Sequence, residues 1–204
     1  MARNSTARGK IVRRFGLNIY GNPKYDRLLK KKPAPPGEPK KSRPRQSEFG
    51  RQLAEKQKVK FAYALSERQF RNIFEKAKRM KGVAGHNMLI LLERRLDNVV
   101  YRLTMAASRA QARQLVGHGH VYVNGRRLNV PSAQVRPGDV ITIKERNSSK
   151  ELVRNNLAEN SGRPVPPWLS LEADELKGSV SVLPTRDMIP TIAEEQLIVE
   201  FYSK

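Results

Sequence analysis

Between Leu92 and Leu128 the apolar residues change from a helical to a strand period, and few folds accommodate that succession. In "NMLILLERRLDNVVYRL", residues 87–103, Leu92, Leu96, Val99, Val100 and Leu103 fall at i, i+4, i+7, i+8 and i+11. That stripe predicts one amphipathic helix, with Arg94, Arg95 and Asn98 largely off its apolar face. A second, shorter helix is predicted from Ser108. Ser108 and Gln111 have capping-box spacing, Ala112, Leu115 and Val116 are apolar, and Gly117 ends the run. Arg109 and Arg113 are one turn apart and share a face. "VYVNGRRL" then alternates around Asn124-Gly125, a pair suited to a type I′ turn because both central residues need φ > 0. "VRPGDVITI" adds a Pro-Gly turn and a strand with Ile141 and Ile143 on one face.

Either side of this frame the chain changes character. Residues 1–46 hold Pro33, Pro35, Pro36, Pro39 and Pro44 among lysines and arginines, with few large apolar residues. Such a segment is predicted to be an extended basic arm that orders on a polyanion. From residue 47 the pattern is helical, with Phe49, Leu53, Val59 and Tyr63 near one face. A second helix opens on the Ser66 and Gln69 capping box, carries Phe70, Ile73, Phe74 and Ala77 inward and stops near Gly82. After Lys150 "ELVRNNLAEN" is a polar helical stretch, and "GRPVPPWLSL" is a loop predicted to anchor Trp168 and Leu169 on a core. The tail "AEEQLIVEFYSK" is apolar and acidic.

Forty Lys and Arg against 19 Asp and Glu leave a formal net charge of +21. A surface so unbalanced repels itself unless it meets a polyanion. There is no cysteine, which excludes disulfides, Cys-ligated zinc and thiol chemistry. No apolar run approaches the ~20 residues a spanning helix needs. "MARNSTARGKIVRRFG" lacks the apolar core of a secretory signal, and its arginines leave a transit peptide conceivable.

His118 and His120 flank a glycine, and the one other histidine is His86, too few for a histidine metal site. Carboxylates at no suggestive spacing complete a set, so no metal and no cofactor are expected. "RRLD" around Asp97 resembles the Arg-Leu-Asp motif of RNA pseudouridine synthases, the sharpest enzymatic alternative. Asp97 lies inside a strongly periodic helix, however, and too little chain follows for a catalytic domain. There is no Walker loop or Ser/His/Asp setting. No catalytic residue is assigned. Arg94, Arg95, Arg109, Arg113, Arg126 and Arg127 are predicted to converge if the two helices pack side by side under the hairpin. Arginine forks match phosphate oxygens, and structured RNA is read mainly through shape, phosphates and 2′-hydroxyls.

At these residues a family resemblance emerges. "LLERRLDNVVYRL", "SRAQARQLVGHGHVYVNGRRLNVPSAQVRPGDVI" and "LIVEFYSK", with "EKQKVKFAYALSERQFRNIFE" and "PWLSL", resemble small ribosomal subunit protein four of bacterial or organellar type. The resemblance covers nearly the whole chain, and the "MAR" start then reads as a mature N-terminus. It implies an α+β protein with an extended basic arm over residues 1–46. A helical lobe of residues 47–93 is completed by 155–204, and a small α/β RNA-binding domain over 94–154 is inserted into it. It further implies a non-enzymatic, cytoplasmic ribosomal constituent, an organellar ribosome being the other setting, that is not a homo-oligomer. Its implied partners are the 5′ domain of small-subunit rRNA, the nearby messenger, protein five and, functionally in decoding accuracy, protein twelve. By position the resemblance carries RNA contact onto Arg13, Arg14, Arg94, Asn98, Ser108, Arg109, Arg113, Gln114, Asn124, Gly125 and Arg127. A free RNA chaperone sharing the small domain is the remaining alternative, though such proteins lack the arm and helical lobe. Some family members bind zinc or an iron–sulfur cluster through N-terminal cysteines, absent here, and many carry Gly-Gln-His-Gly where this chain reads "PPGEPKKSRPRQ".

Overall fold

A computed structural model describes residues 6–37, 47–190 and 192–203. The "MARNS" start, Pro39 and Pro44 lie outside the described residues. The chain forms two compact units, residues 1–85 with 191–204, and residues 86–190. The architecture is α+β, as the sequence predicts.

The first unit is helical, and its opening corrects the expectation of an extended arm. Helix α1 (Arg8–Phe15) buries Ile11 and Val12 and ends at Gly16, whose φ of 64° suits glycine. Helix α2 (Pro23–Lys31) starts on Asn22, whose side chain accepts from the Lys24 amide, with Pro23 in the first turn, where its missing N–H is harmless. Pro33, Pro35 and Pro36 follow α2 and interrupt nothing. The prolines therefore bound the helices rather than forbid them, and Ile11, Val12 and Ile19 are buried.

Helix α3 (Glu48–Ala62) is capped by Ser47 and buries Gln52, Lys56, Val59 and Ala62. Val59 and the following Tyr63 are buried as predicted, whereas Phe49 is exposed, its ring 5.5 Å from Phe201. Helix α4 (Glu67–Lys78) carries the reciprocal Ser66–Gln69 capping box and buries Phe70, Phe74 and Ala77. The acidic tail forms a helix (Glu195–Ser203) packed on α3. There Gln52 donates to Glu200 (3.1 Å), and Tyr202 donates to Glu67 (3.1 Å).

The second unit begins within α5 (Ala84–Glu93). Here the single helix predicted over 87–103 is broken. Arg94 is in a turn, Arg95 is extended, and α6 (Leu96–Arg102) starts afresh. The segment 131–135 causes the break by replacing the helical ladder. Leu96 donates to the Ala133 carbonyl (2.8 Å), Asp97 to that of Pro131 (3.1 Å), and Val135 to that of Arg94 (2.9 Å). Helix α7 (Arg109–Gly117) and strands β1 (Val121–Val123), β2 (Arg126–Arg127) and β3 (Val140–Ile143) follow as read from the sequence. Asn124 and Gly125 have φ of 51° and 75°, as a type I′ turn requires.

After α8 (Asn147–Glu159) come two strands that apolar alternation does not announce, β4 (Leu169–Glu172) and β5 (Lys177–Val180). The antiparallel sheet runs β2-β1-β3-β5-β4, with Ile141 opposite Gly178 and Leu169 opposite Val180. Residues 155–190 thus lie with the inserted unit, not with the helical lobe, because β5 pairs with β3 and Trp168, Leu169, Leu176 and Val180 share its core. That core takes Leu96, Val99, Val100 and Leu103 from α6, and Ala112, Leu115 and Val116 from α7. Gly178 is required where it stands, since a Cβ there would meet the buried Leu103 side chain.

Candidate nucleic-acid interface

The buried stripe of α6 and α7 leaves their polar residues to organise the opposite side. Ser108 caps α7 by accepting from the Gln111 amide (3.3 Å). Gln111 does not close the expected box but accepts from the Ala107 amide instead (2.7 Å). No acidic residue sits in the first turn of α7. Arg109, its first residue, is held in two ways. Its Nε donates to Asn98 Oδ1 (2.8 Å), and its guanidinium lies 4.4 Å from the centre of the Tyr101 ring. Asn98 is buried, and its amide nitrogen donates to the Glu93 carbonyl (3.1 Å) and carboxylate (2.9 Å). Asn98 therefore positions Arg109 rather than facing outward itself.

Tyr101 carries a second guanidinium, that of Arg163, at 4.3 Å. Arg163 also donates to the carbonyls of Ala106 (3.2 Å) and Ala107 (3.3 Å) and to Asn160 Oδ1 (2.8 Å). This Arg–Tyr–Arg stack is absent from the sequence reading. No local spacing links residue 163 to 101, and an aromatic on an apolar stripe reads as core.

One turn beyond Arg109, Arg113 is half-buried, 3.5 Å from Asp97. Arg95, predicted to join the arginine surface, is buried in a two-bond pair with Asp97 (3.0 and 2.7 Å). The six arginines accordingly do not converge. Burial pulls the Arg113 guanidinium below its ordinary range; Asp97 opposes the pull and Arg95 adds to it. Arg163 is lowered first by burial and then by Arg109 and Arg102, with Tyr101 opposing. Arg94 sits elsewhere, donating to the Val135 carbonyl (3.1 Å), and is lowered by burial and then by Arg136. Cations crowded this way gain from a polyanion that neutralises them.

The hairpin tip is cross-linked by hydrogen bonds. Asn124 donates to Asp139 (2.9 Å) and accepts from the Val140 amide (2.8 Å), while the Arg136 amide donates to Asp139 (2.7 Å). Gly125, Arg126 and Arg127 are exposed, as is Gln114 on α7. Arg127 approaches the His118 carbonyl at 3.5 Å. Its guanidinium covers Gly119, whose φ of 72° and lack of a Cβ admit it. Arg13 and Arg14 belong to the helical unit. Arg13 donates to the carbonyls of Ala34 (3.0 Å) and Pro35 (3.2 Å), and Arg14 is exposed beside Phe15.

Asp97 is not placed for chemistry, because it is buried and both its oxygens accept from Arg95. Among the described residues no group of three or more His, Asp or Glu gathers to hold a metal ion, and no helix is long and apolar enough to cross a membrane.

Comparison with known proteins finds two family models along the chain. Residues 3–93 match the model of the ribosomal protein S4/S9 N-terminal domain, and residues 94–141 match the S4 domain. The chain is 55% identical over 206 residues to small ribosomal subunit protein uS4 of Borrelia hermsii, covering 100% of this chain and 99% of that one. It is 53% identical over 206 residues to uS4 of Borreliella burgdorferi. To uS4 of Treponema pallidum it is 52% identical over 200 residues, 97% of this chain and 98% of that one. With that identity along its whole length, and the capped basic helix and Asn-Gly hairpin inside the matched S4 domain, the chain belongs to the small ribosomal subunit protein uS4 family.

Proposed function

We propose that this chain is a structural, non-enzymatic component of the small ribosomal subunit that binds rRNA through the α6–α7 surface and the β1–β2 hairpin. The observation that carries the reading is the fixed Arg109 guanidinium, stacked on Tyr101 and tied to Asn98, with Arg113 on the next turn. A guanidinium so held meets a phosphate without first losing rotamer freedom, which favours phosphate recognition. Arg94, Arg109, Arg113, Gln114 and Arg127 are read as direct contacts, with Arg14 contributing from the helical unit. Ser108, Asn98, Asn124 and Gly125 shape the surface, and Arg13 organises its own segment. Residues 94–154 carry most of these groups and are read as the RNA-binding module.

The finer reading rests on the family resemblance. On it the chain is read as binding the 5′ domain of small-subunit rRNA and nucleating assembly of the subunit body, near the messenger entry, beside protein five and in functional reach of protein twelve. Binding of the full chain to a 5′-domain transcript, titrated with salt, tests the mechanism. Log affinity is expected to fall by roughly 0.7–0.9 per phosphate neutralised for each unit of log salt. A flat response would remove the phosphate-clamp mechanism. Arg109→Ala is expected to weaken binding without changing the fold of α7.

A further inference from the structure

His118 and His120 were the chemically suggestive residues of the sequence, and the α6–α7 surface does not use them. They stand at the C-terminal end of α7, with ring centroids 6.2 Å apart. The His120 carbonyl accepts from the Lys144 amide (2.8 Å), and His120 Nδ1 shares a hydrogen bond with the buried Ser149 hydroxyl (3.1 Å) in the first turn of α8. Arg127 arrives from β2 against the His118 carbonyl. Arg146, just before α8, completes the group. No acidic residue occupies the first turn of α8, and no side chain caps it. The carboxylate nearest in sequence, Glu145, is 92% exposed and faces Lys150 at 3.5 Å. Among the described residues no ion pair engages Arg127, Lys144 or Arg146.

We propose that His118, His120, Arg127, Lys144 and Arg146 form a second phosphate site for an RNA backbone, at the opposite end of α7 from Arg109, and that His120 takes up a proton as the phosphate docks. The inference rests on the RNA-binding reading and deepens it. Lys144 is tied to His120 through its backbone, Arg146 precedes the α8 turn that holds Ser149, and Arg127 reaches His118. Three side chains of fixed positive charge thus neighbour two imidazoles, with no ion pair among the described residues to neutralise them, beside a helix N-terminus that favours anions. Burial, and after it the charges of His118, Lys144, Arg146 and Arg127, hold the His120 imidazole below its ordinary range. A docked phosphate supplies the missing negative charge, so the bound site favours imidazolium where the empty site favours imidazole. By linkage, RNA affinity then falls as pH rises through the bound-state titration of His120, by at most roughly tenfold per pH unit for one proton.

The test uses the full chain and a 5′-domain rRNA transcript at constant ionic strength between pH 5.5 and 8.5. The expected result has three parts. Saturating RNA moves the NMR titration midpoint of His120 upward, and does so further than inorganic phosphate at equal phosphate concentration. His120→Gln flattens the pH dependence of affinity while the protein still melts cooperatively. The double variant Lys144→Gln, Arg146→Gln lowers the salt slope by roughly 0.7–0.9 per lost phosphate contact. Several outcomes overturn the site while leaving the RNA-binding reading intact: tight binding with a His120 midpoint unmoved by RNA, an unchanged salt slope in the double variant, or pH dependence that follows His118→Gln instead. A shift as large with free phosphate as with RNA overturns the backbone assignment. Absence of rRNA binding at every pH overturns both readings together.

Discussion

Each unit of the molecule holds one carboxylate between two cations, and the two clusters behave differently. In the inserted unit Asp97 lies between Arg95 and Arg113, with side-chain exposures of 7%, 3% and 23%. In the helical unit Glu67 lies between Lys56 (2.6 Å) and Lys60 (2.9 Å), and is itself 49% exposed. The Asp97 cluster is sealed, and its forked arginine geometry braces the chain break that separates α5 from α6. The Glu67 cluster is half open. It fastens the C-terminal helix through Tyr202, while the Lys56 ammonium sits 4.5 Å from the centre of the Phe201 ring. In the sealed Arg95–Asp97 pair each member is indispensable, because the partner left behind cannot reach water. A half-open one lets solvent replace what is lost.

The largest effect should come from Asp97→Asn. It strands a buried guanidinium that cannot shed its proton, and costs about 3–5 kcal/mol. Emission from Trp168, the single tryptophan and wholly buried in the inserted unit, reports the loss in a denaturant titration. A change below 1 kcal/mol would mean that Arg95 finds another partner. Glu67→Gln should be milder, about 1–2 kcal/mol, since water reaches that site and the aromatic contacts of Lys56 persist. Helical circular dichroism should register it while the Trp168 transition stays put. Movement of both signals together would show that the two clusters belong to one cooperative transition.

Acid separates the clusters further. Burial pushes the Glu67 carboxyl up, but hydrogen bonds from Lys56 and Lys60 outweigh it and hold the group at about 2, below its ordinary 4.5. A depressed carboxyl adds stability in full above its unfolded value, and that stability is lost as pH falls through the folded value. Packing of the C-terminal helix on α3 is therefore expected to weaken from pH 4.5 toward 2, and Glu67→Gln to remove that dependence. Unchanged acid sensitivity in the variant would point to another carboxylate. The smallest stability effect belongs to Arg113→Ala, on the outer edge of the sealed cluster. It should alter stability by about 1 kcal/mol or less, because Arg95 still satisfies Asp97. The salt slope of rRNA binding should nonetheless drop by roughly 0.7–0.9. Unfolding of this variant would place Arg113 inside the brace rather than at its rim.

Much of the scaffold was legible in the sequence because it is local. Capping at Ser66 and Ser108, the Asn124-Gly125 turn and the apolar faces of α4, α7 and β3 depend on neighbours a few residues away. The arginine surface was legible only in part. Arg109 and Arg113 do share a face, but Arg95 looks identical to them in sequence and is turned inward by an aspartate two residues on. The basic N-terminal segment was misread because proline content was weighed without regard to proline position. Pro23 opens a helix, and Pro33, Pro35 and Pro36 follow it.

By itself, then, the sequence determined the charge that demands a polyanion, the start and stop of most helices, the hairpin turn and the family. Tertiary structure decided everything that depends on a distant partner. Segment 131–135 breaks the helix at Arg94, β5 draws residues 155–190 into the inserted unit, and Arg163 reaches across to stack on Tyr101. It also decided which arginines face solvent and gathered His118 and His120 with Lys144 and Arg146. The physical reason is common to all of these. Backbone and guanidinium donors must find acceptors wherever the fold offers them, and that choice is made in space and not along the chain.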